Sequence, residues 1–293
     1  MVILIKFIDK YAGNLICNFL GLFNSEKYKN IDVEKILVIQ LWGIGETILA
    51  LPAIEALRKR FPKTEINVLA TSRNKDIFFG NKNINNIIAI KLNPFSALNF
   101  ILKNIKKYDL IIDMEEYLNI SAIISFFSGR RIVGYSHGAR AKLYTEKIRY
   151  NDKQHAVQTF LDLIRALDVD YEISKLPSLN FSKNDKNFVD RFLKNNGIKS
   201  NDFVVCVAPG AAESAKARMW PYERYAGLCD EIISKHNAKI IFAGNLNEFE
   251  LIENIQKNIE NKNKTINAAG KLSLNQLFYL IKKSNLFIGN AQI

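Results

Sequence analysis

The chain has 293 residues, 48% hydrophobic and 24% charged, which is enough for two ordinary globular cores and too apolar for a globally disordered chain. Its three cysteines, Cys17, Cys206 and Cys229, are far apart and odd in number with no C-x-x-C pair, which fits a reducing compartment and argues against a disulfide scaffold or structural zinc. The formal charge of +12 is uneven, with 22 Lys and Arg against 13 Asp and Glu in residues 1–150 and 19 against 16 in residues 151–293.

A Lys-, Asn- and Ile-rich composition accounts for much lysine but not for that imbalance. The first half is the one suited to an anionic partner: a membrane surface, a phosphorylated substrate or nucleic acid.

The chain opens with "MVILIKFIDKYAGNLICNFLGLFN", in which Leu4, Ile8, Tyr11, Leu15, Phe19 and Leu22 recur at steps of three and four, an amphipathic helix. Lys6, Asp9 and Lys10 interrupt both the apolar core of a signal peptide and the run of about 20 apolar residues that a spanning helix needs. Two placements remain: a helix in the membrane interface with Phe7, Phe19 and Phe23 among acyl chains, or a helix packed on its own domain. The polar stretch "SEKYKNIDVEK" that follows marks residues 1–30 as a separable helix and linker and favours the interface.

From Lys35 short β-branched runs alternate with helical stretches. Strands are predicted at "KILVIQL", "EINVLA", "IIAIKL", "DLIID" and "RIVGY", with helices at Glu46 to Arg60, Phe95 to Lys107 and Leu118 to Phe127. This spacing implies right-handed crossovers and a parallel sheet, so residues 31–170 read as a Rossmann-like domain. After helices near Gln154 to Leu167 and Asn184 to Asn196 the alternation restarts with "FVVCVAPG", "AKIIFAG", "TINAAG" and "NLFIGN", separated by helices at Tyr222 to Lys235, Glu248 to Lys257 and Leu274 to Lys282. Residues 171–293 are a second such domain, expected to face the first across a ligand-binding cleft. The chain stops just after its last strand, so this domain is expected to be incomplete.

Two loops stand out chemically. In "GIGETILALP" a dinucleotide fingerprint beginning at Gly43 and Gly45 would need its third glycine at Ile48, and Glu46 at the start of the helix would repel a pyrophosphate. The loop suits a base better than a phosphate, with a plain helix cap as the alternative. In "VAPGAAESAKARMWPYERYAGL" a buried strand ends in Gly210 and Ala211, whose amides can approach a phosphate, and Lys216 and Arg218 precede a helix beginning at Pro221, a plain surface loop being the alternative against which Trp220-Pro221 argues for an anchored turn. A weaker cluster, "RRIVGYSHGARAKLY", offers Arg130, Arg131, His137 and Arg140 either to an acidic substrate or to solvent as a plain loop.

The three histidines lack metal-ligand spacing and no D-x-D pair occurs, so no metal is expected. No G-x-S-x-G elbow, P-loop or nucleic-acid module appears. An oxidoreductase reading lacks a ribose-binding acid after the second strand, where Asn67 and Ala70 stand.

Four stretches together resemble glycosyltransferase family 9, the lipopolysaccharide heptosyltransferases: "KILVIQLWGIGETILALPAIEALRKRFP", "YDLIIDMEEYLNISAIISFFSGRRIVGY", "PGAAESAKARMWPYERYAGL" and "AAGKLSLNQLFYLIKKSNLFIGN". They span most of residues 35 to 290. The resemblance implies a GT-B fold, an acceptor held by the first domain, and a nucleotide sugar, usually ADP-heptose, held by the second. It further implies inversion at the anomeric centre without a metal or other cofactor. Glu46 falls where the family places its general base, usually an Asp. Arg218 falls on the cation that offsets the leaving diphosphate, with Lys216 assisting, Gly210 and Ala211 offering backbone, and Asn290 as the last matched position. Gly43, Gly45, Arg130, Arg131, His137 and Arg140 are the acceptor-side candidates. The implied partners are a nucleotide sugar, an anionic lipid-linked saccharide and the cytoplasmic face of the inner membrane, with no nucleic acid. The competing expectation is a truncated, catalytically impaired remnant that binds only acceptor or membrane.

Overall fold

The computed structural model describes residues 7–24, 32–169, 171–173, 175–211, 217 and 219–290. The chain divides into two compact units, Met1–Asn180 and Phe181–Ile293. The expected boundary at residue 170 falls slightly before this division.

The first unit holds a six-stranded, all-parallel sheet of β1 (Lys35–Ile39), β2 (Glu65–Thr71), β3 (Asn86–Ile90), β4 (Tyr108–Asp113), β5 (Gly129–Tyr135) and β6 (Glu146–Ile148) in the order β3-β2-β1-β4-β5-β6. This is the doubly wound order, in which the chain reverses direction across the sheet between β1 and β4. β1 is apolar on both faces and buried from Ile36 to Ile39, as a strand covered by helices on both sides must be. β6 was not predicted: three residues of "TEKIRY" alternate polar and apolar too briefly to give a periodic signal.

Two helices, α2 (Ile44–Arg60) and α5 (Ala156–Arg165), pack against each other. On another part of the unit α3 (Pro94–Lys103) packs on α4 (Asn119–Ser128), and α4 packs in turn on the N-terminal helix. α3 ends four residues before its predicted end because Asn104 turns its side chain back, Nδ2 donating to the carbonyl of Phe100 at 2.7 Å, and Lys106 then takes a positive φ of 47°.

The N-terminal helix comprises a π-helical turn, Asp9–Gly13, then α1 (Asn14–Leu20) and a 3-10 turn, Gly21–Phe23. It is no separable appendage, contrary to expectation. α4 has no side-chain cap of its own. Asp9 supplies one from far away in sequence, its carboxylate accepting from the backbone N–H of Asn119 and of Ile120 at 2.8 Å each. That carboxylate sits on the positive end of α4, where free amides and the helix dipole favour it.

The docked stripe is narrow: Asp9, Gly13, Cys17 and Gly21. A Cβ on Gly13 would lie 2.6 Å from Asn119 Cβ, and one on Gly21 would lie 2.7 Å from Lys142 Cβ, so only glycine permits this approach. Cys17 is fully buried in the hydrophobic cluster that also holds Ile39, Ala122 and Leu143. Asn24 closes the segment, donating to the carbonyl of Lys142 at 2.8 Å. The predicted apolar stripe exists, but Ile8, Tyr11, Leu15, Phe19 and Leu22 face away from the domain and are exposed. Leu4 and Lys6 lie outside the described residues.

The second unit holds β7 (Val204–Ala208), β8 (Lys239–Phe242), β9 (Thr265–Asn267) and β10 (Leu286–Gly289) in a parallel sheet ordered β10-β7-β8-β9. The helices are α6 (Lys183–Asn195), α7 (Tyr222–His236), α8 (Phe249–Lys257) and α9 (Leu274–Lys283). Here the reversal falls between β7 and β10. β10 is an edge strand with Leu286 and Phe287 exposed.

Candidate active site

In open parallel sheets ligands bind beyond the carboxyl ends of the strands where the order reverses, because adjacent loops there diverge to opposite faces and leave a crevice. In the first unit that point lies between the loops after β1 and β4. The loop after β1 runs through Gly43, at φ 76°, into α2, and places Glu46 in its first turn. The Glu46 side chain folds back over Gly43: a Cβ there would lie 1.9 Å from Glu46 Oε2, so Gly43 is required both by its backbone and by this carboxylate. Glu46 is exposed and makes no hydrogen bond among the described residues, and α2 has no side-chain cap. It does not act as the helix cap that was the plainer alternative.

Buried polar groups fix this loop. Glu115, two residues beyond β4, accepts through Oε1 from the backbone N–H of Leu41 and, at 2.8 Å, of Trp42. From the β2 side, Asn74 Nδ2 donates to the Gln40 carbonyl at 2.8 Å and to Thr47 Oγ1 at 2.9 Å. Burial pushes the Glu115 carboxyl up to about 8, reinforced by nearby Asp113 and opposed by the two amides.

Beside Glu46 stands a second carboxylate, Glu116, raised above the ordinary range first by burial and further by the charge of Glu46, while a Tyr150 hydrogen bond opposes the rise. His137 Nε2 donates to the Glu116 carbonyl at 2.5 Å. Around it Tyr117, Tyr150 and Tyr135 place their ring centroids 5.8, 5.3 and 6.2 Å from the imidazole. Tyr117 is largely exposed. Tyr135 is fully buried and backs the imidazole from within, so the accessible surface is made of Tyr117, Tyr150 and His137 with the two carboxylates, suited to stacking and hydrogen-bonding a polyhydroxylated ring.

The other acceptor-side candidates do not join it. Register sets Arg131 level with Leu110 and Ile36, at the beginning of the strands, whereas Glu46 follows their ends; at about 3.3 Å per residue the length of β5 separates the two. Arg131 is engaged by Glu146 of β6, with Nη2 donating to Oε2 at 3.1 Å. Arg130 is exposed at the same far end, its Nε donating to the Lys106 carbonyl. Arg140 is 2% exposed. Its Nη2 lies 3.1 Å from Asp113 Oδ2 and donates to Tyr144 Oη at 2.6 Å, while Tyr144 Oη donates to the same Asp113 oxygen at 2.7 Å. Arg140 therefore holds the end of β4 in place and does not reach a ligand directly.

In the second unit the corresponding crevice lies between the loops after β7 and β10. Asn290, just past β10, donates through Nδ2 to the carbonyls of Pro209 and Gly210 and accepts through Oδ1 from Trp220 N–H at 3.1 Å and Tyr225 Oη at 2.9 Å. It thereby ties the Gly210 loop to the start of α7. Glu248 was not singled out from sequence, yet its carboxylate lies against Gly210 and Gly244, where a Cβ would meet it at 1.7 and 2.6 Å. Ala211 follows Gly210 directly; Lys216 and Arg218 lie outside the described residues.

The model of "Glycosyltransferase family 9 (heptosyltransferase)" matches residues 101–291, more than half the chain. The chain belongs to glycosyltransferase family 9. Its relatives include lipopolysaccharide heptosyltransferase 3 of Escherichia coli, 23% identical over 84% of this chain and 74% of that protein. Another is lipopolysaccharide heptosyltransferase 1 of Campylobacter coli, 24% identical over 87% and 78%. Among solved structures, a family 9 glycosyltransferase from Veillonella parvula superimposes with a TM-score of 0.79 at 22% identity, covering 90% of this chain and 77% of that one. E. coli ADP-heptose lps heptosyltransferase II gives 0.71 at 20% identity, covering 88% and 79%.

As a family 9 member the protein is a glycosyltransferase, and its parallel α/β units match the fold of those structures. Both candidate loops of this glycosyltransferase stand at the reversal points of their own sheets. Among the residues that sequence reading missed, Glu115 and Glu116 follow the end of β4 by two and three residues, where parallel sheets put their ligand loops, while Glu248 follows β8 by six at the end of a 3-10 turn and carried no such signal. Among the described residues no group of three or more His, Cys, Asp and Glu is gathered as metal ligands.

Proposed function

We propose that this glycosyltransferase moves a heptose-like sugar from an ADP-sugar to a lipopolysaccharide inner-core acceptor, inverting the anomeric centre without a metal or other cofactor. The named relatives support the substrate class: lipopolysaccharide heptosyltransferases in three bacteria, and the structural neighbour E. coli heptosyltransferase WaaC, solved with ADP-2-deoxy-2-fluoro heptose. The observation that carries the reading is Glu46, an exposed carboxylate at a helix start and a sheet reversal point, with no intramolecular hydrogen bond among the described residues.

Glu46 takes the proton of an acceptor hydroxyl as that oxygen forms its bond to the anomeric carbon. The anomeric carbon–oxygen bond to the diphosphate breaks, and ADP leaves with the electron pair. A general base at hydrogen-bond distance contributes roughly 10²- to 10⁴-fold to such a step. Arg218, with Lys216, is assigned to the charge on the departing diphosphate, since a guanidinium can bind two phosphate oxygens at once. Gly210, Ala211 and Asn290 shape the donor loop, while Gly43, Gly45 and His137 border the acceptor.

The acceptor is lipid-linked, so the enzyme works at the cytoplasmic face of the inner membrane, held there peripherally by its N-terminal helix. Among the described residues no helix is long and apolar enough to cross a membrane. The test is transfer from ADP-heptose to a defined inner-core lipid acceptor, followed by ADP release and product mass, with and without EDTA. Acceptor-dependent ADP release that survives EDTA supports the proposal. Release that needs a divalent ion, or no product of the expected mass, overturns the metal-free or the donor assignment respectively.

A further inference from the structure

The docked N-terminal helix is only one part of an apolar face. α4 lies between it and α3, packed on both, over one shared hydrophobic cluster. On the N-terminal helix Tyr11, Leu15, Phe19 and Leu22 are 58–79% exposed. On α3 and the turn after it, Phe95, Leu98, Leu102 and Ile105 recur at steps of three, four and three and are 54–85% exposed. That spacing is one side of a helix, and in a water-facing helix it would be the polar side. On α4, which lies between the two helices, Ile123 and Phe126 are half-buried and pack against the same cluster. An exposed apolar surface of this extent on an otherwise well-packed unit marks an interaction site.

Its charges identify the occupant. Residues 77–108 contain five lysines and no Asp or Glu. Lys91, Lys103 and Lys107 are exposed and make no ion pair among the described residues. A second copy of this chain meeting the same face would bring like charges together. An anionic bilayer would satisfy both components, apolar side chains entering the acyl boundary and lysines resting among phosphates.

We propose that α3 and the N-terminal helix together form the membrane-docking face of this protein, the exposed stripe of α3 being a second insertion site for an anionic phospholipid surface. This rests on the membrane association proposed above and extends it: the first unit lies against the bilayer through a layer of helices and does not hang from a tether. Because the helix is fastened to the unit through Asp9, Gly13 and Cys17, the two stripes dock together. The pair of weak insertions then acts bivalently, and losing either one weakens binding by more than its own share.

The experiment is co-sedimentation of the intact chain with vesicles of phosphatidylcholine alone or with about 30% phosphatidylglycerol, an anionic surface of the kind that attracts basic segments. It compares wild type with Leu98→Asp/Leu102→Asp, Leu15→Asp/Phe19→Asp and Lys103→Glu/Lys107→Glu. Melting curves check that each variant is folded, and light scattering reports self-association. The expected result is binding to the anionic vesicles that falls roughly tenfold or more in each apolar double variant, with a reduced salt dependence in the lysine variant. If the wild type binds and only the N-terminal variant loses binding, the role of α3 is overturned while membrane association stands. If the wild type ignores both vesicles, both fall. Dimerisation abolished by Leu98→Asp/Leu102→Asp would make a second copy the occupant and also overturn the inference.

Discussion

At the scale of single residues, carboxylates near one loop do different work because their surroundings differ. Glu46 is exposed and has no hydrogen-bond partner among the described residues; Glu115 is enclosed and holds two amides. Its folded value of about 8 lies above the ordinary 4.5, so the folded chain holds that proton more tightly. The stability this contributes is complete below about pH 4.5 and is lost as pH rises through about 8. Glu115→Gln, which keeps an acceptor for Leu41 and Trp42, is expected to match wild type near pH 5 and to exceed it above about pH 8, by an amount on the order of 2 kcal/mol or more. Thermal melting across roughly pH 5 to 9 checks this; parallel curves for the two proteins would contradict it. Arg140→Ala would strand Asp113 and Tyr144 in the core and is expected to cost about 3–5 kcal/mol in urea unfolding. Arg140 also shows what spacing could not reveal: a basic residue in a turn-rich segment looks available until burial and an ion pair show that it is not.

Among the elements, the N-terminal helix departs most from its sequence. Its hydrophobic period was legible, but which side faces the protein was not, because glycine, cysteine and a capping aspartate carry no weight in a hydrophobic pattern. The docked side is selected by close approach and by a cap, both long-range features. Gly13→Val is expected to destabilise the first unit by about 1–3 kcal/mol through overpacking against Asn119. Asp9→Ala is expected to cost about 1 kcal/mol through loss of the α4 cap. Denaturant unfolding measures both, and unchanged midpoints would mean that the helix is only loosely seated. The strands were read more easily, since a parallel sheet covered on both faces leaves continuous apolar runs such as "KILVI" and "FVVCVA".

For the whole molecule, two successive parallel α/β units followed from alternation alone, and the family from four stretches in order. The position of Glu46 at a strand-to-helix turn was readable from the apolar run before it and the glycines beside it, while its role as base was implied by the family resemblance, a helix cap being the plainer use of such an acid. The aromatic surface of Tyr117, Tyr150 and His137, backed by buried Tyr135, was not, since its members come from segments that meet only after the sheet has formed. The same holds for the reversal points, which are defined by strand order and so are invisible until register is known. The central claim, that Glu46 is the base of a glycosyl transfer, is tested most directly by turnover of Glu46→Gln against wild type at saturating donor and acceptor, with both proteins shown by melting to be equally folded. Because Glu46 is exposed and unbonded among the described residues, stability should be unchanged while kcat falls roughly 10²- to 10⁴-fold. A Glu46→Gln enzyme with near-wild-type kcat would contradict the account.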